Sequence, residues 1–168
     1  KDMRGMYFYV QEMIWLVLLR ARTAQLGTDP TSALQIEQEL SALIAEAERR
    51  ERVTPLIEAS VLRAYALHAA AKHDQAIESL SHALTLGAQS GYVRIFADEG
   101  RRLRRLVEQY GFQIHAPRAY VDEILAILRS ETESSISPTK VGPTGSLAED
   151  RLMSLTRREL DILELMAT

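Results

Sequence analysis

The residues from Thr54 to Gly87, TPLIEASVLRAYALHAAAKHDQAIESLSHALTLG, constrain the chain more tightly than any other stretch. Their first half is apolar almost all round, with Leu56, Ile57, Ala59, Val61, Leu62, Ala64, Tyr65, Ala66, Leu67, Ala69 and Ala70 leaving no polar face. A helix of that kind has neighbours on more than one side. The second half carries Ala76, Ile77, Leu80, Ala83 and Leu84 at spacings of three and four, with Glu78, Ser79, Ser81 and His82 off the stripe. It predicts a helix with one buried and one wet face. Between the halves, Lys72, His73 and Asp74 interrupt the apolar pattern. Asp74 is suited to accept from the free amides that open the second helix. A turn this short makes the two helices antiparallel neighbours.

The preceding residues repeat the arrangement. From Gly5 to Gly27 the pattern is helical and apolar on most sides, with Gly27 suited to close the helix as its C′ residue. Thr28, Asp29, Pro30 and Thr31 form a turn, with Pro30 placed to start a helix. Ile36, Leu40, Leu43, Ile44 and Ala47 then make an amphipathic stripe that ends in the charged run Glu48, Arg49, Arg50, Glu51 and Arg52. Two pairs, each a mostly buried helix followed by a striped one, predict a stacked solenoid. The second pair resembles a tetratricopeptide unit, since Ala64 is small where the helices approach, and Ala76, Leu80 and Ala83 fall at small, large and small positions. The first pair departs from that pattern at Glu37, and the offset between pairs, about 40, exceeds the roughly 34 residues of that repeat. The fold expected is all-α, a divergent right-handed array of antiparallel helix pairs over 1–130.

Composition narrows the class. Hydrophobic content of 46% with 26% charged residues belongs to a globular chain. The absence of cysteine excludes disulfides and thiolate metal sites. The longest apolar run, Met13 to Leu19, falls short of the roughly 20 residues of a membrane span. A formal net charge of −3 argues against this chain alone gripping nucleic acid. The start at Lys1 without a signal-peptide pattern, and the end at Thr168 inside a helical pattern, read as a piece of a longer protein.

Tyr92 to Tyr110 reads as a further helical stretch, and Ala119, Tyr120, Ile124, Leu125, Ile127 and Leu128 as a helix that caps the array. Residues 131–154, rich in Ser, Thr, Gly and Pro, read as a flexible linker. Its r.m.s. reach is on the order of 25 Å. At 155–168, LTRRELDILELMAT gives a capping box from Thr156 and Glu159 and a hydrophobic staple from Leu155 and Leu160.

That last segment resembles the first helix of the helix-turn-helix domain of LuxR-family transcription regulators. Leu155, Thr156, Arg158, Glu159, Leu160, Ile162, Leu163 and Met166 carry the likeness. Together with the helical pairs, it is similar to the C-terminal portion of the MalT-like members of that family, and Leu19, Ala21, Arg22, Ala33, Leu34 and the block from Gly91 to Gly100 support this. The resemblance implies a cytoplasmic bacterial regulator, with an ATP-binding domain upstream of Lys1 and a recognition helix beyond Thr168. It also implies a repeat surface that takes a small-molecule inducer or regulatory protein, and self-association of the full-length protein. DNA would be bound only through the completed C-terminal domain, and no membrane is involved. No Gly-rich phosphate loop occurs here, so neither cofactor binding nor enzymatic activity is expected of this piece.

Candidate surfaces are few. Arg101, Arg102, Arg104 and Arg105 suit phosphates or an acidic partner, or form a solvated helix side around Leu103 and Leu106. Tyr7, Phe8, Tyr9, Trp15 and Tyr65 suit a ligand groove or ordinary helix packing. His68, His73, His82 and His115 lack a metal-ligand spacing, and no carboxylate pair sits with a nucleophile. Two alternatives remain open: a protein–protein scaffold that senses no small molecule, and a regulatory array that follows a kinase domain.

Overall fold

The computed structural model describes the backbone of residues 3–27 and 29–134, with side chains over 10–27 and 29–130. Among these residues the order is α1 (Met3–Ala24), α2 (Pro30–Arg49), α3 (Val53–Ala69), α4 (His73–Ser90), α5 (Arg94–Ala97), α6 (Gly100–Tyr110), a 3-10 turn (Gly111–Gln113) and α7 (Arg118–Ser134). No strand occurs among the described residues, and the fold is all-α. No described helix is long and apolar enough to cross a membrane. The side chains of Tyr7, Phe8 and Tyr9, the remainder of the expected linker and the helix expected at Leu155, Thr156, Arg158, Glu159, Leu160 and Leu163 lie outside the described residues. α7 runs four residues into the segment expected to open the linker, because Glu131, Thr132 and Glu133 contain nothing that stops a helix.

Helix ends are set by local chemistry. Asp29 caps α2, its carboxylate accepting from the Thr31 and Ser32 amides at 3.1 Å each, with Pro30 at the first helical position. Three consecutive helices then close in the same way. The amide of Arg52 donates to the Ala47 carbonyl at 2.9 Å, that of Lys72 to Leu67 at 2.9 Å, and that of Tyr92 to Gly87 at 3.0 Å. Each closure is the six-to-one bond of a Schellman turn, which needs a left-handed residue just before the donor. Gly91 supplies it after α4 with φ 70°, but Glu51 (φ 55°) and Ala71 (φ 58°) supply it after α2 and α3.

Several local expectations are corrected. Gly27 does not close α1, which ends at Ala24 with the Gln25 amide on the Ala21 carbonyl at 3.2 Å. Asp74 does not cap α4; it stands in the first turn, where its charge faces the positive end of the helix dipole. The stretch from Tyr92 to Tyr110 is not one helix, because Gly100 at φ 57° turns the chain between α5 and α6. Ser79 and Ser81, off the α4 stripe, are buried. Ser79 donates to the Ser60 carbonyl at 2.9 Å, and Ser81 to Ile77 at 2.7 Å.

The core is continuous. α3 packs chiefly between α2 and α4, with α1 laid against α2 and α3. Ala59, Ala64, Ala66, Ala76 and Ala83 are fully buried, so the backbones approach closely around Leu62, Leu67, Leu80 and Leu84. α5 and α6 pack against α7 and close the end of the stack, with Phe96 fully buried. A Cβ at Gly87 would overlap the Phe96 ring, so this position admits only glycine without repacking. α1 departs from expectation: among its described side chains Leu16 and Leu19 are buried, whereas Val10, Ile14, Trp15 and Leu18 are exposed. Only one side of α1 meets α2 and α3.

Candidate functional site

The two helix pairs and the closing helices meet along the C-terminal ends of α1 and α3 and the start of α6. There the chain places charged groups among apolar ones. Glu99, immediately before α6, pairs with Arg20 of α1 and accepts from the Tyr65 hydroxyl of α3 at 3.1 Å. Arg20 also reaches Glu58 at 3.4 Å. Arg102 donates to the Thr23 carbonyl at 3.0 Å and lies over the Tyr65 ring, 4.1 Å from its centroid. Thr23 is fully buried, its hydroxyl turned back onto the Leu19 carbonyl at 2.6 Å.

Electrostatics follow from this packing. Burial and then the Glu99 charge push the Tyr65 hydroxyl well above its ordinary range, so it remains a proton donor to Glu99. Desolvation by burial, with a smaller push from Arg20, lowers the Arg102 guanidinium, partly offset by Tyr65 and Glu99. The residue as a whole remains exposed, and the guanidinium stays charged.

Beside this network opens a cleft of about 510 Å³. Its α3 wall is Tyr65, His68 and Ala69, spaced so that they share one helix face. Its α6 wall includes Arg101, Arg102 and Arg105, with Leu106 and Gln109. Leu26, after α1, closes one end. The volume lies within the range of small-molecule sites. Arg104, the fourth arginine of the cluster, is not part of the lining and pairs with Glu108 at 3.4 Å.

Sequence reasoning missed a second group, which joins the cleft through His68. His68 Nδ1 is 2.8 Å and His73 Nδ1 3.2 Å from the Tyr110 hydroxyl, so one oxygen bridges the end of α3, the start of α4 and the end of α6. Burial first, then His73 and Arg102, lower the His68 pKa. Burial raises that of Tyr110. No group of three or more metal-ligating side chains occurs among the described residues. A signal for the triad existed only in the pairing of His68 with His73 across a tight turn.

The candidate residues thus divide. Tyr65, Arg101, Arg102 and Arg105 converge on the cleft. Trp15 stands apart on α1, 43% exposed, which does not fit ordinary packing between the described helices. The side chains of Tyr7 and Tyr9 lie outside the described residues.

The family model described as the MalT-like TPR region matches residues 3–112, well over half of the chain. The chain belongs to this family. The match covers α1 to α6 and therefore includes both walls of the cleft. A MalT-like TPR region is a regulatory helical-repeat module, and the present one carries a polar junction where its repeats give way to the closing helices. No curated protein and no solved structure matches the chain.

Proposed function

We propose that the chain is the effector-sensing and interaction module of a cytoplasmic bacterial LuxR-family, MalT-like transcription regulator. It couples an inducer or regulatory protein to DNA binding by a C-terminal helix-turn-helix domain. The observation that carries the reading is a ligand-sized cleft whose walls belong to different parts of the array, α3 of the repeats and α6 of the closing helices. The family membership and the LuxR-like pattern from Leu155 to Met166 support the regulatory setting. A ligand held by both walls binds according to their relative placement, and so favours one arrangement over another. Equal affinity for both arrangements shifts nothing, and a full switch needs a preference of roughly 10⁴-fold. No reaction and no cofactor is proposed for this chain. ATP binding is assigned to a separate upstream domain, and self-association to the full-length regulator.

Thermal-shift screening of the chain against a metabolite library tests the reading. Stabilisation by a small molecule, and a matching change in reporter transcription by the full-length regulator, are expected. A second reading, a scaffold that docks a protein and senses no metabolite, is favoured by the exposed Val10, Ile14, Trp15 and Leu18 face of α1. Stabilisation by a protein partner alone would decide for the scaffold.

A further inference from the structure

We propose that the α3–α6 cleft binds a small-molecule effector carrying two or more negative charges, as phosphate or carboxylate groups, through Arg101, Arg102 and Arg105. The proposal deepens the sensing reading by naming its ligand class, and it stands on how the arginines are partnered.

Three arginines line one cleft, and among the described residues no Asp or Glu lines it. Glu99, which meets the lining residue Tyr65, is already engaged by Arg20 and Tyr65. Arg101 and Arg105 make no ion pair, hydrogen bond or ring contact among the described residues, whereas Arg104 beside them pairs with Glu108. Arg102 is held in place by the Thr23 carbonyl and the Tyr65 ring, so its fork is positioned before any ligand arrives. The chain as a whole carries a net charge of −3, so this concentration of positive charge is local and not a consequence of a basic protein.

Like charges gathered without counter-charge repel one another, and a bound anion removes that cost. Guanidinium forks bind phosphate and carboxylate oxygens in pairs, at short distance and with fixed orientation. Arg101 and Arg105, one helical turn apart, are roughly 6 Å apart at their Cβ atoms. That separation suits two anionic groups on one molecule better than a single small ion. Leu26 and Leu106 offer apolar contact for a carbon body, and Gln109 supplies an amide for a hydroxyl or carbonyl. A concave site of about 510 Å³ on an acidic chain favours a metabolite over a nucleic-acid backbone, which tracks extended basic surfaces.

The test uses the whole chain in low-salt, phosphate-free buffer, with pyrophosphate, citrate and glucose as probes. A tenfold excess of pyrophosphate or citrate over its Kd is expected to raise the melting temperature by roughly 5 °C, and glucose to leave it unchanged. A response to pyrophosphate alone identifies a phosphorylated ligand; a response to citrate alone identifies a polycarboxylate. The double variant Arg101→Gln/Arg105→Gln is expected to weaken binding at least tenfold by calorimetry, and Arg104→Gln to leave it unchanged. Both replaced residues are exposed, and an unaltered helical circular dichroism spectrum verifies that the variants fold. Absence of binding by both anions, equal losses in the double variant and Arg104→Gln, or duplex DNA bound where neither anion is, would overturn the proposal. If a neutral metabolite still stabilises the chain when the anions fail, only the ligand class is lost. If no metabolite does, the sensing reading fails with it.

Discussion

The α3–α4 hairpin and the junction of α1, α3 and α6 lie in one small protein and are held together by different physics. Within the hairpin, small side chains let two backbones approach, and Leu62, Leu67, Leu80 and Leu84 are removed almost completely from water. Its stability accrues with apolar area, at about 25 cal/mol per Å². Along the junction the contacts run through Arg20, Glu58, Tyr65, Glu99 and Arg102, and each hydrogen bond, having a charged partner, contributes about 1.5–3 kcal/mol net. Leaving one partner unmatched costs more than the bond itself contributes. The hairpin is therefore the rigid reference, and the junction is the place where a modest ligand free energy can alter helix placement.

The severest challenge to that contrast is Leu80→Ala. It removes a fully buried side chain from the tightest interface, and a loss of about 2–5 kcal/mol in urea unfolding is expected, with an unchanged m-value. A loss below about 1 kcal/mol would mean that the hairpin is not the stability-bearing part.

A double-mutant cycle on Tyr65→Phe and Glu99→Gln sharpens the comparison from the other side. Each single change should cost about 1–3 kcal/mol, with a coupling of about 0.5–3 kcal/mol, and amide exchange in α6 should quicken more than in α4. Additive losses would show that the junction is a set of separate contacts and not one network.

The smallest expected effect is a pH dependence at His68, on the α3 wall of the cleft. Because the folded state lowers the His68 pKa below 6.5, the unfolded chain takes up the proton first as the pH falls. The stability associated with neutral His68 is complete above pH 6.5 and is lost as the pH drops towards the folded-state value. Thermal melts between about pH 7.5 and about 5 should show this slope, and His68→Gln should flatten it. An unaltered slope in the variant would assign the dependence elsewhere.

What could be read from the chain alone follows the same division. The α3–α4 hairpin was legible because periodicity reports directly on burial, and every residue of the Ala76 to Leu84 stripe is buried. In α1 the same reasoning failed, because an apolar surface shows what a helix is able to bury and not what stands beside it; Ile14 and Leu18 are more than half exposed. The junction was illegible for another reason. Arg20 and Glu99 are 79 residues apart, and His68 and Tyr110 are 42 apart, so no local pattern announces either pairing. The arginine cluster was visible as composition, yet which of its members share a cleft was decided by the rotation of α6 against Tyr65. Turn chemistry was missed at Ala71, where no glycine marks the left-handed residue.

The shared corner geometry after α2, α3 and α4 bears on how such arrays diverge. When successive reversals are closed by the same main-chain bond, as after α2, α3 and α4, periodicity is written in the path of the backbone, and neighbouring units are free to lose their textual likeness. An insertion of one more pair then requires no new connector, only another bend of the same make. Recognisable repeats in this lineage should accordingly fade in spelling long before they fade in shape.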